Sequence, residues 1–384
     1  MIKKRGRGVL IISISFSPNV GGVETHLDDL CRYLCKKDYR VFVITYQPIT
    51  TKIKGLRMEK KDNLEIRRIN WFGHNWFHKL ESFPLFEFFY LFPGLCIGTF
   101  CFMMKNHYKI DIIHAHGLIA GAVTRFLTLF YKKKIKVLSI HAIYGFKKRK
   151  ILSLISKWIF IGFDKILPLA KISEKDISSV KLPEGKIKSY SQWVDQNLFK
   201  PREKEKCRCL LELKGNFFVA FVGRLIEKKG IKLLLKVAES LSYIKFIFIG
   251  DGPLTNIIKE ASKRLGNVYL TGRKNQHELA IYYGAVDLVA VPSQYEEGFA
   301  RVVMEALSSG RPVIASNKGC LPEMVSSEVG ILVEPTVDNF KKEIESLYFN
   351  RERLKKLTHN ARTYAEKHFS ERNALEIIKA YSLL

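Results

Sequence analysis

The chain has 384 residues, 47% of them apolar, a length that usually divides into two domains and enough apolar mass for two cores. Lysine and arginine outnumber the acids 64 to 37, a formal net charge of +27 that favours anionic partners. Seven cysteines, an odd number without a Cys-x-x-Cys pair, exclude a zinc site and a disulfide framework and fit a reducing cytosol.

The basic start Lys3–Arg7 followed by the apolar run Val9–Phe16 superficially resembles a signal peptide. The run is short, no small-residue cleavage site follows it, and the loop behind it needs a strand, so it is read as the first strand. A turn over Pro18–Gly22 leads to a helix over Val23–Cys35. Gly21-Gly22 at that helix mouth lets a ligand approach the main chain closely, although any strand-to-helix turn can hold two glycines.

Strands follow over Val41–Tyr46 and Leu64–Ile69, then Trp71, Phe72, Trp76 and Phe77. Phe83–Met104 is 22 residues with one charge, Glu87, and eight aromatics. Its length permits a membrane span, but Glu87, Pro93-Gly94 and the return to a sheet strand at Ile110 argue against one. It is read as an interfacial element that dips aromatic side chains among lipid headgroups; an ordinary buried helix is the plainer alternative.

The strand Ile110–His114 runs into Ala115-His116-Gly117. Alternation places His114 and His116 on one side, either as core histidines or, for His116 at the end, as a substrate contact. Further strands are expected over Val137–His141 and Lys165–Leu169. Around them, Lys132-Lys133-Lys134-Ile135-Lys136 and Lys147-Lys148-Arg149-Lys150 supply eight cations. Residues 1–195 carry a net charge of +19 and the remainder +8. Such clusters attract anionic headgroups at about 1 kcal/mol per residue. A solvated basic face is the alternative, and nucleic acid is not expected because no helix-turn-helix or zinc-finger signature is present. The domain break is expected near Asp195–Glu205.

In the second half the strands are Phe217–Val222, Lys245–Gly250, Val268–Thr271, Leu288–Val291, Val313–Ala315 and Ile331–Val333. Strands alternating with helices indicate two parallel-sheet α/β units. Phe217–Val222 ends in Gly223-Arg224, and Lys229-Gly230 precedes a helix over Ile231–Leu241. Arg224 and Lys229 thus stand at the carboxyl end of a strand, where open α/β sheets bind ligands, and together could neutralise a diphosphate without a metal. Lys228 is read as solvent-facing.

Pro292-Ser293 closes the strand Leu288–Val291, and a helix is expected from about Phe299 to Gly310. Glu297 stands at its mouth and Glu305 along it, eight residues on. A glycosidase pair would need roughly 5–5.5 or 6.5–9.5 Å between carboxyls. Eight mostly helical residues give roughly 12 Å, too far to flank one glycosidic bond but suited to two ends of an extended donor. The plainer alternative is a helix-start carboxylate and a solvated one.

Together these residues resemble the retaining glycosyltransferases of family 4 (glycosyl transferases group 1), nearly end to end. Gly21-Gly22-Val23-Glu24-Thr25-His26 resembles the family's glycine loop and His114-Ala115-His116-Gly117 its histidine motif. Val222-Gly223-Arg224 through Lys229-Gly230 resembles its phosphate-binding turn, and Glu297-Gly298-Phe299 through Glu305-Ala306 its two-glutamate signature. Gly319 through Pro322-Glu323, and Gly330-Ile331-Leu332-Val333, resemble its closing segments. Ala300 and Cys320 stand where glycines are usual, and Gln192-Trp193-Val194-Asp195 where an Asn-Gly-Val-Asp hinge is frequent.

The resemblance implies the α/β GT-B fold, two Rossmann-like parallel-sheet domains facing a central cleft. Residues 1–195 would bind the acceptor and 196–369 the nucleotide-sugar, with a last helix, about 370–384, returning to the first domain. His116, Arg224, Lys229 and Glu297 would be catalytic; Gly21, Gly22, Gly223, Gly298, Phe299, Ala300 and Glu305 would bind the donor. Glu297 would bond the donor sugar and Glu305 the ribose, and domain closure would exclude water. No Asp-x-Asp motif is present, so no metal or other cofactor is expected. The expected partners are a nucleotide-sugar, a glycan or lipid-linked acceptor and an anionic membrane, with the protein peripheral on the cytoplasmic face. Other readings are an epimerase or soluble glucan synthase of this fold, or a non-catalytic basic membrane or nucleic-acid binder.

Overall fold

The structure is a computed structural model that describes residues 6–19, 21–49, 53–73, 76–80 and 83–382. Lys3, Lys4 and Arg5 of the basic start, Val20 of the first turn and residues 383–384 lie outside the described residues. The chain forms two compact units, Met1–Gln192 with Asn373–Leu384, and Trp193–Arg372.

Unit 1 contains β1 (Gly8–Ser13), β2 (Arg40–Tyr46), β3 (Met58–Lys61), β4 (Leu64–Ile69), β5 (Ile112–His116), β6 (Ile135–Ile140) and β7 (Lys165–Pro168). They form one sheet in the order β3-β4-β2-β1-β5-β6-β7, parallel except for β3. Strands β1, β5 and β6 are buried throughout, which is why β1 reads as a near-continuous apolar run rather than as alternation; β5 and β6 bury His114, His116, Lys136 and Ser139 as well. The helices are α1 (Gly22–Lys36), α2 (Trp76–Leu80), α3 (Pro84–Asn106), α4 (Leu118–Leu127), α5 (Lys150–Ile161) and α6 (Lys171–Ser178).

Two boundaries differ from expectation for local reasons. β1 stops at Ser13, not Phe16, because the Ser13 hydroxyl bonds Ser15 O at 2.8 Å and curls the chain. β5 starts two residues late, since Ile110 N–H closes a turn onto His107 O at 3.2 Å, and it ends two residues late, at His116 in register with Ser13 of β1 and Ser139 of β6, so it carries both histidines. β3, the sequence Met-Glu-Lys-Lys, escapes the sequence reading. All four residues are exposed, and a charged antiparallel edge strand shows no apolar pattern.

The apolar run in α3 is long enough to cross a bilayer by length and composition. In the fold, Tyr90, Leu91, Leu95, Phe102 and Met103 sit in the unit 1 core while Phe86, Phe89 and Ile97 are exposed. Pro93 lies within the helix. The buried Tyr46 hydroxyl inserts beside it, donating to Leu91 O and accepting from Leu95 N–H at 2.6 Å, which re-satisfies the interrupted ladder.

Unit 2 contains β8 (Phe218–Val222), β9 (Lys245–Ile249), β10 (Val268–Gly272), β11 (Leu288–Val291), β12 (Val313–Ser316) and β13 (Gly330–Val333), all parallel in the order β10-β9-β8-β11-β12-β13. Its helices are α7 (Lys204–Leu210), α8 (Ile231–Ser240), α9 (Thr255–Arg264), α10 (Gln276–Ala285), α11 (Arg301–Ser308), α12 (Leu321–Met324), α13 (Val337–Phe349) and α14 (Arg351–His368). The last helix, α15 (Leu375–Tyr381), returns to unit 1, where Arg7 bonds Tyr381 O at 3.0 Å.

Candidate functional sites at the strand-order switch points

In each sheet the strand order reverses at one place, between β1 and β5 in unit 1 and between β8 and β11 in unit 2. Neighbouring crossovers diverge there and leave a crevice outside the carboxyl ends of the strands, where ligands bind. Both pairs of motifs singled out by sequence fall at these points. Gly21-Gly22 follows β1 and His116-Gly117 closes β5; Gly223-Arg224 follows β8 and Pro292-Ser293 follows β11.

The unit 2 site is built around Glu297, which is buried on the loop before α11. Its Oε1 accepts from Lys229 Nζ at 2.6 Å and from the Ser293 hydroxyl, and its Oε2 accepts from Tyr295 Oη at 2.8 Å. Burial disfavours the Lys229 ammonium, but Glu297 and Tyr295 outweigh it and raise its pKa above the ordinary lysine value. Burial, with Glu297 against Lys229, pushes the Tyr295 phenol up to about 12. A lysine and a glutamate assigned to separate motifs are thus one ion pair.

The loops that carry the pair are pinned by main chain. Gly230, at φ +76°, lies so near Pro292 that a Cβ would come within 1.9 Å of Pro292 O. Cys320 N–H bonds Glu297 O at 2.9 Å, and Gly319 N–H bonds Glu296 Oε2 at 2.6 Å. Cys320 and Ala300, the two departures from the family pattern, are buried beside this loop, and Gly298 and Phe299 are half-buried. Gly223, at φ +151°, leads to Arg224, which is exposed and whose guanidinium has no hydrogen-bond or ion-pair partner among the described residues. Lys228 is exposed, as expected.

Glu305 corrects the solvated alternative. It is 6% exposed, accepts from Arg301 Nε at 3.0 Å and from Tyr283 Oη at 2.9 Å, and sits on α11, which starts two residues later than expected. Arg301, Tyr283 and Tyr295 were not singled out from sequence, and Ser293 was quoted only as a strand end, because nothing in their spacing reports a buried polar contact.

In unit 1, His114 is a satisfied core histidine: Nδ1 pairs with Tyr381 Oη at 2.7 Å and Nε2 with Ser139 Oγ at 2.8 Å. His116 pairs through Nδ1 with His141 Nε2 at 3.0 Å, while its buried Nε2 has no hydrogen-bond partner among the described residues. His26 of α1 joins the group through Tyr190 Oη at 3.0 Å. Burial lowers the pKa of His114 to about 3 and of His141 to about 4. Burial and its histidine neighbours hold His116 well below the ordinary range, so these rings are neutral near pH 7. His26 and His141 were quoted in the sequence only as a motif end and a strand end; the fold gathers them.

The glycine loop is only partly as expected. A Cβ on Gly21 would meet the Glu24 carboxylate at 2.4 Å, so that space is filled by the chain's own acid. Beside Gly22, at the start of α1, the space is open.

Comparison with known proteins bears on both units. Residues 204–364 match the family described as Glycosyl transferases group 1, and residues 20–196 match Glycosyltransferase Family 4. An uncharacterized glycosyltransferase of Methanocaldococcus jannaschii is 27% identical over 390 residues, 98% of each chain. Among solved structures, sucrose-phosphate synthase from Thermosynechococcus elongatus superposes with a TM-score of 0.82 at 20% identity, over 98% of each chain. Anabaena HepE in complex with UDP-glucose does so with a TM-score of 0.78 at 20% identity, over 98% of this chain and 100% of that one.

Proposed function

The chain belongs to the glycosyl transferases group 1 and is a glycosyltransferase of GT-B fold, with two Rossmann-like units, and from that premise we propose that it moves a sugar from a UDP- or GDP-linked donor to an acceptor hydroxyl with retention of configuration. The observation that carries this reading is the Lys229–Glu297 pair beside the exposed Arg224 at the unit 2 switch point. A structural relative bound to UDP-glucose supports the donor class.

In this reading the acceptor oxygen bonds to the anomeric carbon as the bond to the diphosphate breaks, and the departing phosphate oxygen takes the acceptor proton. Arg224 and Lys229 stabilise the charge that grows on the diphosphate, which they can do without a metal. Glu297, already accepting three hydrogen bonds, turns a carboxylate oxygen to the donor sugar, and Glu305 serves the ribose from an orientation fixed by Arg301 and Tyr283. Gly22, Gly223 and Gly298 let substrate reach the main chain, and the unpaired Nε2 of His116 is assigned to substrate contact. The excess charge of residues 1–195 supports an anionic or lipid-linked acceptor and a protein peripheral on the inner face of the cell membrane.

A thermal-shift series with UDP, GDP, ADP and CMP, with and without EDTA, tests the donor reading. A nucleotide at a hundred times its dissociation constant stabilises a fold by about 2.7 kcal/mol. Stabilisation by one diphosphate that survives the chelator is expected; no shift with any of the four would overturn the assignment.

A further inference from the structure

Helices α3, α4 and α5 lie side by side in unit 1. A Cβ on Gly121 of α4 would come within 3.1 Å of Ile159 of α5, and Phe100 of α3 meets Phe130, just past α4, with ring centroids 5.4 Å apart. Helix α5 is apolar on two sides. Ser156, Ile159 and Phe160 face the core, whereas Ile151, Leu154, Trp158 and Ile161 are 74, 70, 53 and 48% exposed. A surface helix normally buries its one apolar stripe; here a second stripe, at helical spacing, faces outward. Leu129 and Phe130, 61 and 57% exposed, extend it toward α3.

Cations bracket the stripe. Lys147, Lys148, Arg149 and Lys150 are exposed at the start of α5, where positive charge opposes the helix dipole and so does nothing for the helix. At the other end lies a pocket of about 330 Å³ lined by Arg125, Lys132, Lys136 and Lys186 against one carboxylate, Asp164.

Main-chain oxygens, more than acids, hold these cations. Lys186 Nζ donates to Ile161 O at 2.9 Å and Phe163 O at 2.8 Å, Lys136 Nζ to Lys132 O at 3.0 Å, and Arg125 Nε to Trp158 O at 3.1 Å. Asp164 is committed to Lys136 N–H at 2.7 Å and lies 3.8 Å from Lys136 Nζ. Burial, with Arg125 and Lys136 against Asp164, lowers the Lys186 pKa. The pocket holds more positive charge than its walls neutralise.

We propose that the α4–α5 face docks on an anionic bilayer, with the outer stripe of α5 entering the headgroup boundary and the Arg125, Lys132, Lys136 and Lys186 pocket seating a phospholipid phosphate. This deepens the membrane reading above and rests on it. Apolar insertion plus anion binding are the two signals that together hold a protein on a membrane. A nucleic acid would take the cations and leave the stripe in water. A second copy would bring like charge against like charge.

The test is co-sedimentation of the full chain with phosphatidylcholine vesicles, with and without phosphatidylglycerol. The wild type is expected to bind the anionic vesicles more tightly. Lys132→Gln with Lys186→Gln should lose about 30-fold in partition to anionic vesicles only. Ile151→Ser with Leu154→Ser should lose binding to both. If the double lysine variant does not fold, Lys132→Gln alone, at the surface, carries the same expectation at about fivefold. Equal binding to both vesicles, no binding, duplex DNA bound in place of vesicles, a dimer that buries the stripe, or a pocket variant that partitions like wild type would each overturn the proposal. Nucleotide-dependent stabilisation, measured on the same variants, reports on the unit 2 donor site separately.

Discussion

Arg224 and Lys229 carry the same charge on one loop yet stand in different surroundings, and their removal should separate function from stability. Arg224→Ala takes away an exposed guanidinium without a partner among the described residues, so urea stability should stay within about 0.5 kcal/mol. Lys229→Met leaves the buried Glu297 without its ammonium and should cost about 3 kcal/mol. Both should lower turnover on the order of 10²–10³ if they stabilise the departing diphosphate. Equal melting of the two variants, or near-normal turnover of Arg224→Ala, would refute the division. Sequence could name both cations from their place after a strand. It could not pair Lys229 with Glu297, because 68 residues separate them and only the β8–β11 adjacency brings them together.

At the level of elements, two glycines at loop mouths should respond oppositely to the same methyl group. In Gly230→Ala the Cβ meets Pro292 O at 1.9 Å on a left-handed backbone, so about 2–4 kcal/mol should be lost from unit 2. In Gly22→Ala the Cβ meets open space at the start of α1, so stability should change by less than about 1 kcal/mol while substrate approach to the amide is blocked. Urea melts and turnover of the two proteins check this contrast. The buried parallel strand Leu288–Val291 was legible to the residue, because an apolar run bounded by turns is what a strand covered on both faces requires. β3 was not, since an exposed charged edge has no period to read. The histidine group was half legible: alternation aligned His114 with His116, whereas His26 joins only from α1 and His141 only from the residue after β6.

Across the whole molecule the buried neutral histidines make stability depend on acid. A histidine whose folded pKa is depressed stays neutral while the unfolded chain takes up a proton, so stability is full above about pH 6.5 and falls as pH drops toward the folded value. With His141 at about 4, that group alone removes about 3 kcal/mol between pH 6.5 and 4, and His114, at about 3, acts in the same direction. Urea midpoints at successive pH values should fall through this window, and His141→Asn should flatten the fall. A pH-independent midpoint would show that these rings titrate normally.

One of those histidines is tied to the far end of the chain, through Tyr381 of α15, and this sets an order of assembly. The strands of unit 1 leave the ribosome well before the helix that completes the unit, which follows only after the 180 residues Trp193–Arg372. At about 5–20 residues per second, unit 1 waits roughly 10–40 seconds as an unfinished nascent domain. For that interval His114 lacks its Tyr381 partner, and the surface that α15 will cover stays open to chaperones.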